Sequence, residues 1–429
     1  MKKLIFLLII FISSSAYSSV LLGGEITCRN INGLKYETTL TIYRDTITGN
    51  IPLNYTITYQ DAADSIIASH IVNTTQVILG PNGFKSYKYI DTIIFPLTGS
   101  FKASVWDCCR DSVYNISNTN SSGMYIDCMV LADGNNSTPR FLSVPITLAQ
   151  FNRPFSYNTT PYDSNGDSLT WELSVPYDAL IDSANGNITI SPLLYILPPT
   201  DSSFPFKMDS LTGDITFKPN QSGKFQIVVK VNEWRNGQLI GYITRDMELL
   251  VIQSMNLPPN ANALITILPQ VNNTTWIQGT PTPTTNLSPM ENLTIEFHSV
   301  DSTNFNGPWA LYYGSSLQNT SAYHYEVVST YWYDGWFVWY PTFNDVSNNP
   351  YFTTLRVADE YGWDTFYNDY TFRIFVSNTT TSVSEISSDS KSVYIKSIDL
   401  LGREIDSNLP GFGIDLYSDG KTRKVFRGD

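Results

Sequence analysis

Apolar side chains recur at every second position along most of this chain. Tyr36, Thr38, Leu40 and Ile42 alternate with Glu37, Thr39, Thr41 and Tyr43, as in a strand buried on one face. Further strands are expected over Asn54 to Gln60, Gln76 to Leu79, Tyr87 to Phe95, Phe101 to Trp106, Leu169 to Leu173, Ile215 to Phe217, Phe225 to Val231 and Met247 to Val251. Each is a short run rich in Thr, Val, Ile, Tyr or Phe, bounded by turn-forming residues. No window repeats apolar residues at helical spacing, so the pattern predicts an all-β protein. Its 429 residues, at a prior of roughly 150 per domain, correspond to about three sandwich modules in series.

Breaks in the pattern divide the chain. Met1-Lys-Lys, the apolar run Leu4 to Ile12 and the small residues near Ser18 read as a signal peptide over residues 1–18. The run is shorter than the roughly 20 residues of a membrane span, and no later stretch is apolar enough to cross a bilayer. A secreted or outer-surface location, with no transmembrane segment after processing, is therefore expected. The turn-rich Asp133-Gly-Asn-Asn-Ser-Thr-Pro139 separates a first module (19–137) from a second (138–254), and Asn256-Leu-Pro-Pro-Asn260 opens a third (255–378). Residues 379–392, rich in Ser and Thr, form a linker to a small β tail, 393–429, with a hairpin turn at Asp419-Gly420. A long insertion, Tyr177 to Pro205, interrupts the second module.

The third module repeats the second. Gly335 to Pro341 matches Gly213 to Pro219 in spacing, Tyr351 to Val357 with Asp359 matches Phe225 to Val231 with Glu233, and Asp369 matches Asp246.

Net charge is −13 and the isoelectric point about 4.7, which repels phosphate backbones and excludes nucleic acid as an expected partner. Asp163, Asn165 and Asp167 stand at every second position around Gly166, just before the Leu169, Trp171, Leu173 alternation. Short oxygen side chains so spaced suit either a bare turn or a turn folded around a hard cation such as calcium.

All four cysteines, Cys28, Cys108, Cys109 and Cys128, lie in the first module. An exported chain with an even count is expected to form disulfides. Adjacent cysteines rarely join each other, so Cys28 and Cys128 are each expected to take one of the pair, leaving open which.

Tyr331 to Tyr340 is dense in rings. Trp332, Trp336 and Trp339 are either a sugar-stacking platform or cross-strand pairs beside a hairpin at Asp334-Gly335. His70, His298 and His324 are scattered, and no nucleophile elbow or phosphate-binding glycine loop occurs. No enzymatic activity is expected.

Asp163 to Leu169, Leu211 to Pro219 and Gly223 to Val231 with Glu233 together resemble the cadherin-like repeats of bacterial surface proteins. That resemblance implies tandem immunoglobulin-like sandwiches, with aspartates near a strand end and Glu233 gathered at one pole, around calcium. Gly23 to Cys28, Leu40 to Asp45 and Trp106 to Arg110 resemble the amino-terminal module of secreted Bacteroidetes proteins linked to gliding and type IX secretion. Leu400 to Glu404 and the final Asp-Gly-Lys, with Lys424-Val425, resemble a type A sorting domain of that system, here without its Pro-Asn-Pro opening. The expected role is thus adhesion or surface architecture, with the tail addressing the secretion machinery and a surface or glycan partner. The rival is a secreted carbohydrate-binding or carbohydrate-active protein using the third module's aromatics.

Overall fold

The computed structural model describes residues 21–45, 52–117, 122–181, 188–268, 272–277, 284–300, 309–313, 317, 322–328, 332–361, 364–378, 394–398, 404–405, 411–417 and 422–427. The expected signal peptide, the 379–392 linker and the Asp419-Gly420 turn lie outside these. No α-helix occurs among the described residues. The chain is all-β, built of tandem sandwich modules, and divides into two compact units, 1–378 and 379–429.

The first unit opens with β1 (Leu21–Asn32), β2 (Lys35–Asp45), β3 (Asn54–Gln60), β4 (Ile66–Leu79), β5 (Phe84–Ile94), β6 (Gly99–Asp107) and β7 (Met124–Ala132). Next come β8 (Arg140–Phe141), β9 (Leu148–Gln150), β10 (Phe155–Asn158), β11 (Pro161–Tyr162), β12 (Ser168–Ser174), β13 (Tyr177–Ile181), β14 (Ile188–Pro192), β15 (Lys207–Met208), β16 (Asp214–Phe217), β17 (Gly223–Arg235) and β18 (Gln238–Ile252). The third region holds β19 (Asn260–Leu268), β20 (Asn272–Ile277), β21 (Thr284–Leu287), β22 (Asn292–Val300), β23 (Trp309–Tyr313), β24 (Tyr323–Val328), β25 (Trp332–Trp339), β26 (Tyr351–Tyr361) and β27 (Asp364–Val376).

β1, β2, β5, β4, β3, β6 and β7 are hydrogen-bonded in that order, and β18 closes the circuit. It pairs with β1 at Gly23–Met247 and Glu25–Arg245, and with β7 at Ile243–Cys128. On its other edge β18 carries β17, which carries β12. Main-chain pairing therefore crosses the division expected at 137/138. One core runs from Ile26, Leu40, Tyr89 and Ile126 to Tyr157, Ile215, Phe225 and Leu249. Gly23 permits the junction: its φ is +147°, and a Cβ there would lie 2.0 Å from the Asp246 carbonyl oxygen. Within this sheet the first half of β4 pairs with β3 and its second half with β5, whose pairing carries a register shift at Thr74–Gln76. The Tyr177 to Pro205 insertion is partly regular, because β13 and β14 form a hairpin that meets β7 at Tyr177–Tyr125.

In the third region the sheets β20-β19-β22-β25-β24 and β21-β27-β26-β23 enclose Ile265, Phe297, Phe337, Trp339, Leu355 and Phe372. The pairing of β10 with β16 and of β17 with β18 recurs as β22 with β25 and β26 with β27. The junction with the preceding module is made of specific hydrogen bonds. The Ser156 N–H donates to Asn368 Oδ1 at 3.0 Å and the Asn158 N–H to Asp369 Oδ2 at 2.8 Å. Arg356, itself bound to Asp369 at 2.7 and 2.8 Å, also donates to the Val144 carbonyl. Buried donors and acceptors so satisfied hold modules at a fixed angle.

Cysteine pairing differs from expectation. Cys108 and Cys109 are bonded to each other, and Cys28 and Cys128 face each other in the core with their sulfurs 3.6 Å apart. The layers explain this: β6 ends at Asp107, which leaves Cys108 exposed beyond the sheet, whereas Cys28 and Cys128 face the core.

The second unit is a four-stranded antiparallel sheet in the order β29 (Glu404–Ile405), β28 (Tyr394–Ile398), β30 (Gly411–Tyr417), β31 (Thr422–Arg427).

Candidate cation site

Leu169 of β12 pairs with Glu233 of β17, so the loop that feeds β12 lies beside Glu233. The loop is an Asx turn: Asp163 Oδ1 accepts the N–H groups of Asn165 and Asp167, each at 2.9 Å. Gly166 completes it at φ +80°. Only one oxygen of Asp163 is used in this way. Oδ2 is buried without a hydrogen-bond partner.

Glu233 is fully buried, and neither carboxylate oxygen has a hydrogen-bond partner. Facing it on β18 is Gly241, where any Cβ would lie 2.3 Å from Glu233 Oε2. Oxygens of Asp163, Asp167 and Glu233 fall within 4.8 Å of one another. Two ligands bound at about 2.4 Å to one calcium ion stand at most about 4.8 Å apart, so the three can share an ion.

The electrostatics point the same way. Burial, reinforced by the charges of Asp163 and Asp167, raises the Glu233 pKa to about 9. Burial raises Asp163 to about 6. One cation already attends the cluster: Arg235 donates to both oxygens of Asp167 at 2.8 and 2.6 Å, to Asp133 Oδ2 at 2.9 Å and to Asn136 Oδ1 at 2.5 Å. Asp133 and Asp167 thus share one guanidinium, while Asp163 and Glu233, within 4.8 Å of Asp167, have no cation of their own among the described residues. An uncompensated buried carboxylate costs several kcal/mol, and a divalent oxygen-seeking ion relieves that cost.

Asn165, expected among the ligands, is turned away. Its Oδ1 accepts the Ser137 N–H at 3.0 Å and its Nδ2 donates to the Asn135 carbonyl at 3.1 Å. It joins the two loops instead. Sequence reasoning missed Asp133, Asn136 and Arg235. Residues 133–139 read as a linker, although Asp133-Gly-Asn-Asn repeats the turn chemistry of the Asp163 loop. Asp133 Oδ1 does accept the Asn135 and Asn136 N–H groups at 2.9 and 2.7 Å.

The structure withdraws Trp339 from the expected aromatic platform. β25 runs unbroken from Trp332 to Trp339, with Asp334 and Gly335 inside it, opposite His298 and Phe297. Its inward side chains are Tyr333, Phe337 and Trp339; Trp339 is fully buried, edge-on to Tyr351 at 4.9 Å. Trp336 is half-buried, and the Trp332 side chain lies outside the described residues. The alternation of a central strand puts half its rings in the core, so Trp339 cannot stack on a sugar.

No family model and no curated relative matches the chain. Among solved structures, it is similar to the Ig1-Ig2 region of Dpr2 in its complex with DIP-Theta Ig1-Ig3, at 11% identity and a TM-score of 0.19, covering 83% of this chain and 99% of that one. It is also similar to a titin fragment, at 10% identity and a TM-score of 0.17, covering 56% and 98%. Cadherin-like domains 1 to 4 of zebrafish RET align at 9% identity and a TM-score of 0.18, over 89% of this chain and 86% of that one.

Proposed function

We propose that the chain is a non-catalytic exported protein of the cell surface, serving adhesion or surface architecture, whose first unit is stiffened by calcium held between Asp163, Asp167 and Glu233. One observation carries the calcium reading. A wholly buried carboxylate, Glu233, has both oxygens unpartnered and sits within common reach of two aspartates. The ion would tie the loop ahead of β12 to β17, with Arg235 extending the tie to the 133–136 loop. The non-catalytic reading is supported by the absence of any recognised catalytic motif in the sequence. Export is supported by the signal-like N terminus and by the tail's resemblance to a type IX sorting domain.

Melting in chelator and in excess calcium tests the site. Wild type gains stability with calcium, and Asp163→Asn does not. Equal melting in both media, or an equal gain in the variant, would remove the calcium from the account. Cell fractionation of the intact chain against one cut at Thr381 tests the tail. Equal delivery of both would make it dispensable.

A further inference from the structure

We infer that Cys28 and Cys128 form a second disulfide, which locks the fork where β1 and β7 part from β18. Their sulfurs are 3.6 Å apart, and Cys28 and Cys128 are 1% and 0% exposed. Closing that gap to a bond of about 2.05 Å needs a shift of about 1.5 Å, within reach of small side-chain rotations. The pairing is also exclusive. With Cys108 joined to Cys109, the chain holds no other thiol.

The position gives the bond a task. Away from β17, β18 offers one edge to three strands in turn: Tyr242 and Ile243 pair with β7, Arg245 to Met247 with β1, and Leu250 to Ile252 with β9. Beyond Glu25, β1 has left β18, and its free edge is taken up by the 137–138 segment. The Cys28 N–H donates to Thr138 Oγ1 at 2.9 Å, the Thr138 N–H to the Cys28 carbonyl at 2.8 Å, and the Asn30 N–H to Ser137 Oγ at 2.9 Å. A Cys28–Cys128 bond fixes the separation of β1 and β7 at this fork. It thereby steadies the segment that runs on from Asp133 and Asn136, the partners of Arg235.

The chemistry is thiol–disulfide exchange with a disulfide of the low-molecular-weight or oxidoreductase class. One cysteine thiolate displaces a thiol from that disulfide to give a mixed disulfide. The other thiolate then displaces the second thiol. The two cysteines are oxidised, the donor disulfide is reduced to two thiols, and those thiols take the protons. Because neither sulfur is reachable in the folded protein, exchange precedes closure of the fork. The bond is therefore made during folding and is shielded afterwards.

The full chain, refolded with a mixture of oxidised and reduced glutathione, is denatured without reduction, alkylated and digested with trypsin. Cleavage at Arg29, Lys102, Arg110 and Arg140 puts Cys28, the Cys108–Cys109 pair and Cys128 on three different peptides. The expected product is a linked pair joining the Cys28 and Cys128 peptides. Alkylation of both cysteines, or links from either to the Cys108–Cys109 peptide, would overturn the inference. A second readout needs no peptide map. In a Cys108→Ser/Cys109→Ser background, protein refolded in the glutathione mixture melts about 10 °C above protein refolded under full reduction, whereas equal melting points would again contradict the bond.

Discussion

Replacing Glu233 by Gln should raise the melting point of this protein in chelator and shrink the further rise that calcium brings. Without calcium at pH 8, wild type must hold Glu233 protonated beside Asp163 and Asp167, because burial and those two charges raise its pKa to about 9. Glu233→Gln keeps the shape and needs no proton taken up on folding, so the chelated variant should be more stable than chelated wild type by about 1–3 kcal/mol. Calcium at a hundred times its dissociation constant stabilises wild type by about 2.7 kcal/mol, on the order of 5 °C or more for a domain of this class. The variant has lost a charged ligand, and a tenfold weaker site forfeits about 1.4 kcal/mol of that gain. Differential scanning calorimetry would show the variant melting above wild type in chelator and shifting less than wild type when calcium is added. A variant less stable than wild type in chelator, with an unchanged response to calcium, would refute the electrostatic argument and assign Glu233 a packing role.

Other expectations follow from the same geometry. Arg235→Met frees Asp167 and Asp133 from their guanidinium, so it should lower stability in chelator and tighten calcium binding several-fold in a titration. Arg356→Met leaves Asp369 buried at the module junction and should cost about 3–5 kcal/mol by denaturant unfolding; a loss below about 1 kcal/mol would mean the junction is looser than its hydrogen bonds imply. Trp339→Ala should cost about 3–5 kcal/mol through the cavity it opens, and a glycan array should not distinguish the folded variant from wild type. Burial raises both Asp214 and Glu248 to about 7 in the folded chain. Such groups hold their protons more tightly folded than unfolded, so stability should fall as pH rises from about 4 to 7. Asp214→Asn with Glu248→Gln should flatten that slope by on the order of 1–3 kcal/mol per group in chelator.

The local order of this fold was legible because strand periodicity is local. Tyr36, Thr38 and Leu40 are buried while Glu37 and Thr39 are half-exposed, as the alternation predicts. The alternation stops being informative at Thr41 to Arg44, all buried, because Tyr43 meets Glu25 and Arg44 meets Asp107. The role of β18 was hidden for a different reason. Which strands pair across about 220 residues depends on register, and nothing near Gly23 or Met247 announces it. Three of the four acids around the site were legible from loop chemistry and from the position of Glu233. Asp133 and Arg235 were not, because a turn-rich segment reads as a linker until the fold lays it against its partner. The cysteines misled because sequence shows which are adjacent but not which layer each faces.

The central claim is that an ion belongs between Asp163, Asp167 and Glu233. Crystals grown with calcium and measured at a long wavelength test it most directly. The account predicts an anomalous difference peak about 2.4 Å from an oxygen of each of the three acids. A map with no peak there, and Glu233 facing only water or Arg235, would contradict it.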